Sequence, residues 1–267
     1  MPFYINEFKG GLGNQMFSIA TIYSLSKRYN TTFSFDRSCQ ISEGMVNNRV
    51  YHDVLDYFSH FPNYSEENAL PTEEIKVIQF QDYQFNETNA KEHRIHMKGL
   101  PMLFSLLEPH IEDFKQDCKN HIPQSISSNI PNLCIAMRTF SAENSPQWAT
   151  SLAYYNRAIE YMSKLYDSCN IHIYTDKEGS MGQIVPYIQT HFGEKCVSIQ
   201  EFCGNKETKT DVEHFFNMFQ YDNYILCIST FHYWPALLST KNADSKVIYP
   251  EEVGWYKNIV HPKWIAL

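Results

Sequence analysis

Three strings in this 267-residue chain carry groups suited to gripping an anion. The first, Gly10-Gly11-Leu12-Gly13-Asn14-Gln15-Met16-Phe17, follows the apolar run Phe3-Tyr4-Ile5 and leads into a helical stripe of Met16, Ile19, Ala20 and Tyr23. Its glycines allow positive φ and close approach of backbone to a ligand. The helix after them aims its first N–H groups at the hinge. The spacing matches neither the G-x-x-x-x-G-K-[ST] loop nor G-x-G-x-x-G, and a plain tight turn uses the same glycines. In the second string, residues 134–140, an apolar strand delivers Arg138 to its carboxyl end. A guanidinium fork there can neutralise phosphate without a metal; a surface ion pair is its other use. The third, residues 227–236, is a buried strand opening into a helix at Ser229, Thr230 and Phe231. Hydroxyls and N–H groups at a helix start bind oxyanions, although Ser229 also reads as an ordinary N-cap before aromatic core residues.

The elements that must position these strings alternate along the chain. Strand-like runs cover 32–35 and 76–80, and a helical stretch covers about 101–119. A polar run over 124–132, rich in Ser, Asn and Pro, reads as a linker. Beyond it come strand 133–137, helix 152–165, strand 170–174, helix 183–191, strand 196–199, helix 211–219 and strand 224–228. Strands alternating with helices of about a dozen residues imply parallel α/β sheets. The pattern predicts two Rossmann-like domains facing a cleft, residues 1–130 and 131–267. Ligands of such sheets bind at the carboxyl ends of the strands, where all three strings lie.

A net charge of −8 excludes a nucleic-acid partner, because phosphate-backbone binding needs clustered Lys and Arg. With 43% hydrophobic and 15% aromatic residues the chain can bury a sizeable core. No signal peptide or membrane span is evident, which points to a soluble cytoplasmic enzyme of bacterial or viral type, or to an excised catalytic domain. The seven cysteines are scattered without a C-x-x-C pair and read as free thiols of a reducing compartment. The sequons at Asn30, Asn63 and Asn86 then carry no glycan.

The string Gly-Gly-Leu-Gly-Asn-Gln-Met-Phe resembles the N-terminal signature of glycosyltransferase family 11, the α-1,2-fucosyltransferases. The resemblance runs along nearly the whole chain in the family's order. It implies a GT-B-like α/β fold and an inverting, metal-independent enzyme. Such an enzyme moves L-fucose from GDP-fucose to a glycan hydroxyl, a galactoside 2-OH in that family. Residues 1–130 would carry the glycine loop and the acceptor side, and 131–267 the nucleotide sugar. Family members read His-x-Arg-Arg-Gly-Asp-Tyr around the second string, so Arg138 matches the arginine that grips the donor β-phosphate. Ala136, Thr139, Phe140 and Ser141 depart from that motif. The third string resembles Asn-Ser-Ser/Thr-Phe-Ser-Trp-Trp-Ala, which assigns Ser229, Thr230 and Phe231 to the donor. Gly11, Gly13, Asn14 and Gln15 follow from the first string. Residues 151–159 resemble the family's next helix, whose Tyr154 and Tyr155 read as core.

Asp176, in Tyr174-Thr175-Asp176-Lys177, either shapes the donor pocket or caps a turn. Phe80-Gln81-Asp82-Tyr83 borders the acceptor side in the same comparison. The family's guanine-reading aspartate falls on His214, which cannot accept from both N1–H and N2–H2 of guanine. Asp211 or Glu213, one turn away, are the candidate replacements at the mouth of the cleft.

No Asp-x-Asp occurs, and no two histidines stand at i, i+4, so no metal or other cofactor is expected. Glu143 is the nearest carboxylate after Arg138 and the candidate base; otherwise the leaving phosphate takes the acceptor proton. Two alternatives stand beside fucosyl transfer: a GT-B transferase using another nucleotide sugar, and a degenerate module that binds a glycan or nucleotide without catalysis.

Overall fold

The computed structural model describes residues 3–5, 10–30, 32–36, 54–61, 63–64, 76–80, 95–99, 104–123, 129–139, 149–204, 210–239, 245–251 and 259–267. Glu143, Phe140, Ser141 and the segment 81–83 lie outside these residues, as does Cys39. The chain divides into two compact units, Met1–His121 and Ile122–Leu267. The division falls ahead of the polar run 124–132.

The first unit holds a five-stranded sheet of β1 (Phe3–Ile5), β2 (Phe33–Asp36), β3 (Asn63–Tyr64), β4 (Lys76–Phe80) and β5 (Ile95–Gly99). The order is β3-β2-β1-β5-β4, and every pairing is parallel. From β1 the chain runs outward through β2 and β3, then returns on the other side of β1. The carboxyl end of β1 therefore lies at a topological switch point, where open sheets leave a crevice. There the chain turns into α1 (Leu12–Arg28), whose residues from Leu12 to Ser26 are almost all buried. A helix enclosed on all sides buries apolar surface all round rather than along one stripe. Lys27 and Arg28 in its last turn complement the negative end of its dipole. Helices α2 (Phe104–Leu107) and α3 (Ile111–Cys118) follow β5. Edge-to-face contacts join Tyr23 of α1 to Phe33, Phe61 and Phe114, and the Tyr23 hydroxyl donates to Asp117 Oδ2 at 2.8 Å.

The second unit is a six-stranded parallel sheet, β11-β10-β9-β6-β7-β8. Its strands are β6 (Asn132–Ala136), β7 (Cys169–Thr175), β8 (Cys196–Cys203), β9 (Asn223–Ile225), β10 (Val247–Tyr249) and β11 (Ile265–Ala266). Leu133, Cys134, Ile135 and Ala136 are all buried, as a parallel strand covered on both faces requires. The connecting helices are α4 (Leu152–Ser163), α5 (Val185–His191), α6 (Thr210–Asn217) and α7 (Thr230–Leu238). Ser151 caps α4 by accepting from the Tyr154 N–H at 3.2 Å. Tyr154 and Tyr155 are core residues with satisfied phenols: Tyr154 donates to the carbonyl of Leu226 at 2.7 Å, Tyr155 to that of Ala136 at 2.8 Å.

From β6 the chain moves outward through β7 and β8, then crosses back to place β9 on the other side of β6. The second switch point therefore lies between the carboxyl ends of β6 and β9. The fold is α/β and GT-B-like in having two parallel sheets, one per unit.

Several element boundaries differ from those read in the sequence. β9 stops at Ile225 instead of reaching 228, because the Ile228 N–H donates to Thr150 Oγ1 at 3.0 Å and the Ser229 N–H turns back to the Cys227 carbonyl at 2.8 Å. β8 runs to Cys203, four residues beyond the predicted end, as an edge strand paired to β7 alone. Helix 183–191 begins as a 3-10 turn, Ser180–Gln183, and becomes α5 at Val185. The six described cysteines, at 118, 134, 169, 196, 203 and 227, are all free thiols. Among the described residues no helix is long and apolar enough to cross a membrane.

Candidate functional site

In the first unit the glycine hinge follows β1. Gly10 adopts φ +76°, a left-handed conformation that an L side chain resists. A Cβ added there would sit 2.5 Å from Nδ2 of Asn14, so the hinge and the Asn14 carboxamide are in close contact. Gly11 takes the N-cap position of α1 with extended backbone and no side-chain cap. Gly13 is buried in the first turn, and Asn14 is half-buried beside it.

Gln15, expected among the binding residues, lies inside the fold. It is 0% exposed, its Nε2 donates to the Gly10 carbonyl at 3.0 Å and its Oε1 accepts from the Val54 N–H at 2.9 Å. Both ends of the carboxamide are committed to holding the hinge against the turn at Val54.

In the second unit four strand ends supply the site. Arg138 stands two residues past β6, half-buried, just after Met137, whose N–H donates to the Tyr174 carbonyl at 2.8 Å. The next residue, Thr139, grips Asp176 after β7: Oδ1 accepts from the Thr139 N–H at 2.7 Å and from its hydroxyl at 2.8 Å. Gly204 follows β8 and donates to the Thr175 carbonyl at 2.9 Å. Beyond β9, Ser229 caps α7 by accepting from the Phe231 N–H at 3.3 Å. Ser229 is buried, while Thr230 is half-buried in the first turn of α7.

Phe231, half-buried, packs against two neighbouring rings. Its ring meets Phe215 of α6 at 5.0 Å and His232 edge-on at 5.3 Å.

On α6, Asp211 and His214 share the face turned to Gly204: a Cβ on that glycine would lie 3.5 Å from Asp211 Cβ and 3.6 Å from His214 Nδ1. Glu213 projects from the exposed side of the same turn. Asp211 Oδ1 accepts from the Val212 N–H at 3.0 Å. The His214 ring stands edge-on to Tyr174 at 5.4 Å and to Phe202 at 5.9 Å, and those two rings stack at 4.9 Å. Desolvation lowers the His214 pKa against the opposing pull of Glu213 and Asp211.

Sequence reading did not single out His232 and Cys227. Cys227 Sγ lies 3.2 Å from His232 Nδ1. Burial holds the His232 pKa down to about 3, with Asp176 opposing and Arg138 and His214 adding to the shift. Burial likewise pushes the Cys227 thiol well up, against the pull of Arg138. These mutual influences bring Arg138, Asp176, His214 and His232 into one electrostatic neighbourhood, supplied by β6, β7, α6 and α7. It sets the Arg138 cation and the capped N-terminus of α7, both of which attract anions, beside two imidazoles and the Asp176 carboxylate.

No known protein family and no curated protein matches the sequence. Among solved structures, a point mutant of Arabidopsis thaliana FUT1 in complex with GDP is similar over 89% of this chain and 68% of its own, at 10% identity and a TM-score of 0.51. The chain has a fucosyltransferase-like fold. NodZ alpha-1,6-fucosyltransferase co-crystallized with GDP is similar over 88% of this chain and 92% of its own, at 11% identity and a TM-score of 0.47. A fucosyltransferase NodZ from Bradyrhizobium matches at 12% identity, with 88% and 93% covered and a TM-score of 0.45.

Proposed function

We propose that the protein is an inverting, metal-independent glycosyltransferase that moves L-fucose from GDP-β-L-fucose to a galactoside-like hydroxyl, in the manner of family 11. The observation that carries this reading is the placement of Arg138 and the Ser229-capped α7 N-terminus on opposite sides of the β6/β9 switch point. That is the position where an open parallel sheet takes a nucleotide diphosphate. Arg138 compensates the charge that gathers on GDP as the glycosidic bond breaks, and the N–H groups of α7 take the remaining oxygens. Thr139 and Asp176 hold the Arg138 loop, while Asp211 and His214 face the base from α6. Acceptor attack on the opposite face of the sugar inverts the anomeric carbon. Its proton passes to Glu143 or to the leaving phosphate.

Transfer or donor hydrolysis assayed in EDTA tests the reading. Activity persisting in EDTA is the expected result. Activity that disappears with EDTA and returns with Mn²⁺ would sink the metal-free mechanism.

A second reading keeps the same site but changes the nucleotide, and His214 favours it. A histidine stands where family resemblance calls for the guanine-reading carboxylate. Thermal shifts with GDP, UDP and ADP separate the two, since a ligand that binds only the folded state raises its melting temperature. A protein stabilised by none of the three would be the non-catalytic module instead.

A further inference from the structure

Thr150, Tyr154 and Tyr155, at the start of α4, hold backbone on both sides of the β6/β9 switch point. The register of the two strands runs to the pair Ile135 and Ile225. Past that pair, this one turn supplies hydrogen-bond partners to each strand end. The Tyr155 hydroxyl donates to the Ala136 carbonyl at 2.8 Å, two residues before Arg138. The Tyr154 hydroxyl donates to the Leu226 carbonyl at 2.7 Å, three residues before Ser229. Thr150 Oγ1 accepts from the Ile228 N–H at 3.0 Å, one residue before Ser229. Ser151 joins the three contacts: its side chain accepts from the Tyr154 N–H at 3.2 Å and its carbonyl from the Tyr155 N–H at 3.3 Å.

The two tyrosines are core residues, and removing either would leave a cavity in the second unit. Thr150 is half-buried and acts directly on the backbone that leads into the cap of α7. Ile228 is buried, so its N–H is costly to leave unpaired. The following N–H, of Ser229, turns back to the Cys227 carbonyl at 2.8 Å. Thr150 thus fixes where the turn 227–229 ends and α7 begins, on the same rigid turn whose Tyr155 holds the end of β6.

We propose that Thr150 is a positioning residue for the donor diphosphate: through Ile228 it sets the span between Arg138 and the N-terminus of α7, so that both reach one diphosphate. This deepens the diphosphate-site reading above and rests on it. A diphosphate has a fixed length, and two groups that grip it from different strands work together only at a matching separation. A valine at 150 keeps the side-chain shape and removes the acceptor. The segment 227–229 then shifts to satisfy the Ile228 N–H, and the α7 N-terminus moves with it.

The test compares GDP with GMP, which lacks the β-phosphate. T150V should weaken GDP binding roughly fivefold to tenfold, the scale of one misplaced hydrogen bond, and GMP binding less than about twofold. T150S, which keeps the hydroxyl, should bind both nucleotides like the wild type. In an Arg138→Ala background T150V should cost little further GDP affinity, because the contact it positions is already gone. Equal losses for GDP and GMP, no loss for either, or full additivity with Arg138→Ala would each overturn the proposal. Should T150V fail to fold, hydrogen exchange on the wild type decides: a slowly exchanging Ile228 amide supports the tie, and a rapidly exchanging one overturns it. If the wild type prefers UDP or ADP, that nucleotide and its monophosphate replace the guanine pair. A wild type that binds no nucleoside diphosphate more tightly than its monophosphate would overturn the diphosphate-site reading itself, and this proposal with it.

Discussion

Asp176 holds Thr139 by two hydrogen bonds to a single carboxylate oxygen, 2.7 Å from the backbone N–H and 2.8 Å from the hydroxyl, and so ties the loop after β7 to the loop after β6. Arg138 is the residue immediately before that clasp. Its backbone is therefore fixed on one side by Met137, bonded to the Tyr174 carbonyl, and on the other by Thr139.

Asp176→Ala removes both bonds and leaves the nearly buried Thr139 hydroxyl without its partner. Because Asp176 is itself exposed, the expected loss is about 1–2 kcal/mol rather than the full value for a charged bond. Thr139→Val keeps the backbone bond and should lose about half as much. Urea titration checks both. Each variant should also weaken GDP binding more than its stability loss explains, since the clasp positions Arg138; unchanged GDP affinity in a folded Asp176→Ala protein would show that the clasp is only structural.

Arg138→Ala takes the cation from the diphosphate, a contact worth about 1.5–3 kcal/mol. GDP binding should weaken roughly tenfold or more, and turnover should fall further because the charge is greatest in the transition state. Arg138→Lys should recover charge but not the two-pronged geometry, and so restore only part of the activity. Near-normal transfer by Arg138→Ala would remove this residue from the mechanism.

The placement of Arg138, Asp176 and Ser229 beyond strand ends is legible in the sequence, because each follows an apolar run that reads as a buried strand. The clasp is not legible, because Thr139 and Asp176 meet across 37 residues. Thr139 reads instead as the loss of an arginine. His232 is hidden inside Phe231-His232-Tyr233-Trp234, a run indistinguishable from core until Cys227 is seen beside it. Strands of two or three residues such as β10 and β11 have no period to detect, and their place is set by pairing, β10 with β9 and β11 with β10. The length of β9 is likewise decided from outside, by Thr150.

His232 also predicts how the fold responds to acid. Its ordinary pKa of about 6.5 falls to about 3 in the folded protein. Above pH 6.5 both states are neutral and the stabilisation is complete. As pH falls from about 6.5 toward 3, the unfolded chain takes up a proton that the folded one refuses, so stability drops by about 1.4 kcal/mol per pH unit. Burial lowers the pKa of His60, His172 and His214 as well, which adds loss of the same sign. Between pH 6.5 and 5 the wild type should lose about 2 kcal/mol more than H232Q. Equal acid sensitivity in urea melts would mean that His232 is not held neutral.

Gly10→Ala should cost about 1–2 kcal/mol, because φ +76° strains any L residue and the new methyl displaces the Asn14 carboxamide. Gly182→Ala is the matched control: a Cβ there meets nothing within 4 Å and its φ is ordinary. It should be neutral or slightly stabilising. Melting temperatures decide between them, and a Gly10→Ala protein as stable as the control would show that the hinge is not strained.

Base selection separates the nucleotide readings most sharply. Asp211 shares the Gly204-facing side of α6 with His214, whereas Glu213 lies on the exposed side. A carboxylate can accept from N1–H and N2–H2 of guanine together, and a base edge left without its partner is what a site rejects. Asp211→Asn should therefore erode the preference for GDP over ADP and UDP by roughly tenfold or more, the scale of a lost charged hydrogen bond. Glu213→Gln should change it little. Isothermal titration of the three nucleotides into each variant provides the measurement. If both variants keep the wild-type preference for GDP, neither carboxylate has taken over from the position held by His214. If the wild type itself prefers UDP or ADP, the guanine reading fails, and with it GDP-fucose as the donor.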